Sequence, residues 1–171
     1  MASYIENARA KARNILAKYG VKAAPIPVER IARALGIRVQ YAPFDDELSG
    51  MAFIKDGTPM IGINSLHSST RQRFTLAHEI AHIVLHKSKI ESAVHVDKGI
   101  LRRDAVSATG EDILEVEANN FAAELLMPGQ ILEAVLGDRV VDMEDEDAMK
   151  SFAKRFGVSS TAFQYRLRNN P

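Results

Sequence analysis

An α+β fold, in which a small sheet packs against several helices, is the fold class that the sequence predicts. Apolar residues recur at helical spacing towards both ends of the chain, and strand-like apolar patterns occur between residues 37 and 63. The 171 residues are 46% hydrophobic and 26% charged, a composition typical of a soluble globular protein. This length suffices for about one domain, since a single core usually holds roughly 100–200 residues.

The first half of the chain is expected to form two helices and then three strands. The two helical patterns are each followed by a glycine, and the second is preceded by a proline. A turn-rich link joins the last two strands, which predicts a small antiparallel sheet. The expected helices span residues 2–19 and 27–35, and the expected strands span residues 37–41, 51–54 and 60–63.

The second half is predicted to be mostly helical. Ser68 or Ser69 can cap a helix over residues 70–87. A second long helix is expected over residues 112–127, with a short helix after it. Residues 88–110 show weak periodicity, which predicts an irregular loop between the two long helices.

A C-terminal helical extension, residues 138–171, is expected to pack on a main domain formed by residues 1–137. Residues 142–147 are largely acidic, whereas residues 150–171 contain five basic and no acidic side chains. Two helices separated by Gly157-Val158-Ser159 have the outline of a helix-turn-helix. Because the net charge of the whole chain is zero, packing of these helices is favoured over DNA binding.

The composition also excludes several kinds of function. The chain has no cysteine, so disulfides, thiolate nucleophiles and thiolate metal ligands are excluded. It has no apolar leader and no run of roughly 18 apolar residues, so we expect a cytoplasmic protein without a membrane span. Its 22 basic and 22 acidic side chains provide no general attraction to nucleic acid or membranes.

The most informative motif is His-Glu-Ile-Ala-His at residues 78–82, inside a predicted helix. His78 and His82 are one turn apart on the same side of that helix, so both imidazoles can reach one zinc ion. Glu79 lies beside them, where a carboxylate can take a proton from water at the metal. His86 is about 12 Å from His78 along the helix, too far to share the ion, so packing or a supporting hydrogen bond is expected for it.

A catalytic zinc site needs a third protein ligand and one open position. On the second long helix, Glu115 borders the apolar side, whereas Glu117 and Glu124 lie towards a side where solvated carboxylates are expected. Glu115 is therefore the preferred ligand, with Glu117 and His95 as the alternatives. Asn119, one turn after Glu115, is expected to hydrogen-bond within the site.

Two segments resemble the ImmA/IrrE family of metallopeptidases. They are Arg-Phe-Thr-Leu-Ala-His-Glu-Ile-Ala-His at residues 73–82 and Glu-Val-Glu-Ala-Asn-Asn-Phe-Ala-Ala-Glu-Leu-Leu-Met-Pro at residues 115–128. The resemblance implies a zincin-like metallopeptidase core with one zinc ion per chain. The residues at the family's metal positions are His78, His82 and Glu115, and Glu79 is at the position of the catalytic base.

The resemblance also implies a function, because members of the family cleave transcriptional repressors of mobile elements or of the radiation response. We therefore expect a zinc endopeptidase that hydrolyses a peptide bond in a repressor-type DNA-binding protein. Two alternatives are a zinc-containing anti-repressor that acts by contact without proteolysis, and a DNA-binding regulator that uses the C-terminal helices. Glu79 argues against the first alternative, because a structural zinc needs no base and prefers four protein ligands.

Two further expectations concern the substrate. By analogy with zincins, one of the strands at residues 51–54 and 60–64 is expected to lie beside the site and hold the substrate as an added strand. The group that stabilises the oxyanion is left open among Arg71, His95, Asn119 and the four tyrosines.

Overall fold

Eight helices and four strands make up the described part of the chain, residues 2–97, 110–137 and 141–169 of a computed structural model. The α+β class is confirmed, and the two long central helices lie where the sequence predicts them. None of the helices in these residues is long and apolar enough to cross a membrane. The helices are α1 (Ala2–Lys18), α2 (Val28–Ala34), α3 (Ser69–Leu85), α4 (Lys87–Ser92), α5 (Gly110–Leu126), α6 (Gly129–Leu136), α7 (Glu146–Phe156) and α8 (Ser160–Arg168). The strands are β1 (Arg38–Ala42), β2 (Gly50–Lys55), β3 (Thr58–Asn64) and β4 (His95–Asp97).

The four strands form a mixed sheet in the order β1-β3-β2-β4. β2 and β3 form the predicted hairpin, whose turn has positive φ values of 50° at Asp56 and 77° at Gly57. β1 pairs parallel with β3, with Val39 opposite Ile61, so the sheet is mixed and contains the antiparallel pairing that the sequence predicts. Periodicity identifies a strand but not its neighbour, and here β3 lies between β1 and β2.

The prediction of an irregular loop over residues 88–110 is wrong for its first part, which contains a helix and a strand. Helix α4 follows α3 directly, and β4 pairs antiparallel with β2, with Val96 opposite Met51. A strand of three residues is too short to show alternation, so only its pairing with β2 reveals it. The rest of the expected loop, residues 98–109, lies outside the described residues.

Helix α5 is the centre of the helical layer, because α1 and α3 both pack against it, and α3 also packs on the sheet. The start of α3 is capped by the Ser68 hydroxyl, which accepts from the backbone N–H of Arg71 at 3.4 Å. The core where these elements meet is continuous and apolar. Its fully buried members include Leu76 and Ile80 from α3, Phe121 and Leu125 from α5, and Ile61 and Ile63 from β3.

The C-terminal helices α7 and α8 pack on the same core through buried aromatic side chains. The rings of Phe156 and Phe163 have centroids 5.8 Å apart, and both side chains are fully buried. Arg73 of α3 reaches this pair, since its Nε donates to the Gly157 carbonyl at 3.1 Å. These contacts agree with packing as the favoured role of the tail; the division of the chain at residues 137 and 138 stays a prediction.

Glu124 of α5 is buried, so the expectation that it faces solvent is wrong. Its Oε2 lies 2.6 Å from Nη2 of Arg166, and the two side chains are 4% and 3% exposed. Nε of Arg166 also donates to the Met127 carbonyl at 3.1 Å. A helical wheel shows only which side of a helix is polar, and here α8 covers the polar side of α5. Arg166 is thereby removed from the basic surface that DNA binding by the tail would need.

Candidate metal centre

All five residues of the His-Glu-Ile-Ala-His motif are buried in the middle of α3, including its three polar side chains. His78, Glu79 and His82 are 4%, 0% and 2% exposed. The helix is enclosed there because the sheet packs on one side of it and α5 on the other. Polar groups so deeply buried need hydrogen-bond or charge partners, and the neighbouring elements supply them.

Glu115 of α5 meets both histidines. Its Oε2 lies 3.2 Å from Nε2 of His78, and its Oε1 lies 3.4 Å from Nε2 of His82. The two Nε2 atoms lie 3.0 Å apart. In a tetrahedral zinc site with bonds of about 2.0–2.1 Å, ligand atoms are separated by about 3.3–3.4 Å. The triangle of donor atoms therefore has nearly the size that a zinc ion requires.

His95 of β4 lies beside this triangle. Its Nε2 is 3.7 Å from Oε1 of Glu115, and its ring stacks on that of His82 with centroids 3.7 Å apart. One donor atom from each of His78, His82, His95 and Glu115 lies within 4.8 Å of the other three. The sequence presents His95 as an alternative to Glu115, whereas the structure brings both residues to the same place. Pairing of β4 with β2 puts His95 there, and no motif in the sequence signals it.

The ring nitrogens that face away from the cluster are also hydrogen-bonded. Nδ1 of His78 lies 3.1 Å from Oδ1 of Asn119, the contact expected for that residue. Nδ1 of His82 lies 3.1 Å from Nδ1 of His86, whose Nε2 lies 3.1 Å from Oε2 of Glu117. Glu117 therefore does not belong to the group of proposed metal ligands, and it is not solvated. His86 has the supporting position expected for it.

Burial and charge keep these groups in the forms that bind metals. Burial, together with neighbouring His78, His95 and His86, holds the pKa of His82 far below its usual range, so the imidazole is neutral. Burial raises the pKa of Glu115, but the hydrogen bond with His78 and the electrostatic interactions with the nearby histidines outweigh it and lower that pKa. A neutral imidazole and an ionised carboxylate are the states that metal binding needs.

Glu79 lies next to the start of β2. A Cβ atom added at Gly50 would lie 3.3 Å from Oε1 of Glu79, 2.6 Å from Cγ2 of Thr75 and 3.1 Å from the Gly62 carbonyl oxygen. Only a residue without a side chain permits this close approach of β2 to α3. The position of Glu79 therefore depends on a glycine in the sheet.

Replacing Gly50 with Ala is expected to lower the free energy of unfolding by about 1–3 kcal/mol, because Thr75 and the strand must move apart. Denaturant unfolding measures this loss. Gly129→Ala is the matched control, since a Cβ there would meet its nearest atom, Nη2 of Arg166, at 3.9 Å. Equal stabilities of the two variants would contradict the tight contact at Gly50.

The expectation about a strand that pairs with the substrate changes in the structure. β3 has a neighbouring strand on each side, so its expected role of pairing with a substrate is wrong. β2 is paired with β3 along its length and with β4 at residues 50–52. Arg71, one of the candidates for stabilising the oxyanion, contacts the loop before β2, where its Nη2 donates to the Ser49 hydroxyl at 2.9 Å.

The mixed α+β fold and the cluster of His78, His82, His95 and Glu115, of which the first two are buried, have the arrangement expected of a metal-binding domain. The family model of the IrrE N-terminal-like domain matches residues 32–168, and the chain belongs to this family, the ImmA/IrrE metallopeptidases. The family resemblance of the two sequence motifs is thereby confirmed.

Two similar proteins extend this comparison. The chain is 29% identical over 167 residues to the radiation response metalloprotease IrrE of Deinococcus deserti, covering 94% of this chain and 53% of that protein. Its fold is similar to that of a Mycobacterium tuberculosis transcriptional regulator, with a TM-score of 0.62 and 18% identity over 96% of this chain and 48% of the other. The chain thus spans about half the length of each of these two proteins.

Proposed function

We propose that this protein is a zinc endopeptidase whose metal ligands are His78, His82 and Glu115 and whose general base is Glu79. The observation that carries the proposal is the convergence of three donor atoms at separations of 3.0, 3.2 and 3.4 Å. Two histidines and a glutamate are a ligand set of catalytic zinc sites, in which a fourth position stays open. Membership of a metallopeptidase family supports the same conclusion.

Zinc, when bound, lowers the pKa of water and polarises the carbonyl group of the substrate. Glu79, buried on the same helix as the two histidines, accepts a proton from the attacking water and passes it to the amine of the leaving peptide. With Glu79 as the general base, direct attack by water is the reaction that these residues favour.

His95 is proposed to act on the substrate carbonyl and not as a fourth ligand. Its Nε2 lies 3.7 Å from Glu115, farther than the distances within the donor triangle. An imidazole N–H beside the reacting carbonyl can stabilise the oxyanion that forms on attack. β4, which carries His95, is at one edge of the sheet in the described residues, where an extended substrate can lie.

The proposed substrate is a repressor-type regulatory protein in the cytoplasm. This part of the proposal rests on the family resemblance and on similarity to a relative named for the radiation response. The buried Arg166 and the neutral net charge favour a protein substrate over direct DNA binding.

Zinc content per chain, measured by elemental analysis of identically purified variants, tests the proposed ligands. We expect about one zinc ion per chain in the wild type and in Glu79→Gln, and almost none in His82→Ala or Glu115→Ala, because two ligands do not complete the site. His95→Ala should retain zinc if His95 acts on the substrate. His67→Ala, outside the cluster, is the control.

Absence of zinc from the wild type, even when zinc is supplied, would contradict the peptidase proposal as a whole. Loss of zinc in His95→Ala together with retention in Glu115→Ala would show that His95 is the third ligand instead. Full zinc content without cleavage of any peptide would favour the anti-repressor that acts by contact.

A further inference from the structure

A second histidine and a carboxylate lie on the side of the His82 ring that faces away from the donor cluster. Its Nδ1 lies 3.1 Å from Nδ1 of His86, and Nε2 of His86 lies 3.1 Å from Oε2 of Glu117. The side chains of His86 and Glu117 are 6% and 12% exposed, so water competes little for these contacts. We call these two residues the supporting pair.

The positions of the protons follow from the carboxylate end of this series. An ionised carboxylate can only accept, so Nε2 of His86 carries a proton and donates it to Glu117. In the tautomer of His86 that carries its proton on Nε2, Nδ1 accepts, and the hydrogen bond from His82 requires a proton on Nδ1 of His82. The remaining nitrogen of His82, Nε2, is left with its lone pair directed at Glu115 and His78.

We propose that His86 and Glu117 are positioning residues that set the tautomer and the ring orientation of His82 for metal binding. The inference rests on the proposed function, because it requires a metal at the His78, His82 and Glu115 cluster. Hydrogen-bond partners of a ligand histidine fix its orientation and raise its basicity, and their loss typically weakens metal binding by about 10–100-fold.

The two ligand histidines are supported in different ways. His78 has a neutral partner, Asn119, at 3.1 Å, whereas His82 is connected to a carboxylate through a second imidazole. Helix α5 supplies both Asn119 and Glu117 and also the ligand Glu115. By packing on α3, helix α5 therefore supplies both the third proposed ligand and the side chains whose hydrogen bonds orient the two histidines.

The alternative is that the supporting pair only joins α3 to α5. Such a structural role changes the stability of the metal-free protein and leaves the affinity for zinc unchanged in the folded state. A positioning role changes the zinc affinity itself, and it makes the effect of Glu117 depend on the presence of His86.

The test is the zinc dissociation constant of the full chain, measured by competition with a chromophoric chelator. We expect His86→Leu to raise this constant by about 10–100-fold and Glu117→Gln by about 10-fold. In the double variant, Glu117→Gln should add nothing to the effect of His86→Leu, because Glu117 acts only through His86. Glu133→Gln and His67→Gln are the controls for charge and for loss of a histidine.

A conservative replacement provides the second readout. The side-chain oxygen of His86→Asn can take the place of Nδ1 and accept from His82, as Asn119 does for His78. We expect this variant to bind zinc more tightly than His86→Leu by about 10-fold. Thermal unfolding of each metal-free variant identifies any variant that fails to fold. If His86→Leu does not fold, His86→Asn and Glu117→Gln still test the proposal.

Dissociation constants within twofold of the wild type in both His86→Leu and Glu117→Gln would overturn the positioning role. Independent, additive losses in the double variant would overturn it as well. A wild type that does not bind zinc, or a His82→Ala variant that binds zinc as well as the wild type, would overturn the proposed metal centre itself. If only the positioning role fails, the wild type binds zinc and His82→Ala loses it, while His86→Leu and Glu117→Gln bind zinc as the wild type does.

Discussion

Glu79→Gln is expected to lower the rate of peptide hydrolysis by about 10²–10⁴-fold while the zinc content stays at the wild-type level. Glutamine has nearly the shape of glutamate but cannot accept the proton of the attacking water. Glu79 is the only carboxylate of α3, and it is fully buried beside the two proposed histidine ligands. The measurement is cleavage of a library of protein-derived peptides, detected by mass spectrometry with zinc-loaded protein.

The control for this comparison is Glu91→Gln on α4, whose side chain is exposed and pairs with Lys87 across one turn. It should cleave at the wild-type rate. A Glu79→Gln variant that holds zinc and keeps more than a tenth of the wild-type rate would contradict Glu79 as the base. The same library would identify the residues preferred around the cleaved bond.

Arg166→Met is expected to lower the free energy of unfolding by about 3–5 kcal/mol. The substitution leaves the carboxylate of Glu124 buried, 4% exposed, without the guanidinium that lies 2.6 Å from it. Nη1 of Arg13 is 3.8 Å from the other carboxylate oxygen and is too distant to replace that bond. Equilibrium unfolding in urea, followed by circular dichroism, measures the loss.

The double variant Arg166→Met and Glu124→Met separates the cost of an unpaired charge from the value of the pair. Removing both charges should recover most of the lost stability, since replacing a buried ion pair by apolar side chains is often neutral or stabilising. Arg168→Met, exposed on the same helix, should change stability by less than about 0.5 kcal/mol. A loss below 1 kcal/mol in Arg166→Met would contradict the buried pair.

Local signals predicted the helices and the first parts of the site. The Ser68 cap and the apolar spacing placed α3, and the four-residue spacing of His78 and His82 placed both imidazoles on one side of it. These features depend on residues within one or two turns of each other, so the sequence contains all the information they need. The wheel of the second long helix also favoured Glu115, because a carboxylate at the border of an apolar stripe needs a partner.

Other features depended on which elements pack together. The parallel pairing of β1 with β3 and the strand that carries His95 could not be read from periodicity, which contains no information about neighbours. Glu117 and Glu124 both looked solvated on a wheel of α5, yet one contacts His86 of α3 and the other Arg166 of α8. Their side of the helix is polar because each carboxylate meets a specific partner there.

The sequence by itself determined the class of site: a histidine pair with a glutamate between them on one helix, a chain without cysteine, and a second motif with a carboxylate at its start. Only the tertiary structure decided where His95 lies, which partners Glu117 and Glu124 meet, and how His82 is oriented. The physical reason is distance along the chain. The spacing within a helix is set by backbone geometry, whereas contacts between residues far apart in sequence exist only once α3, α5 and the sheet have packed.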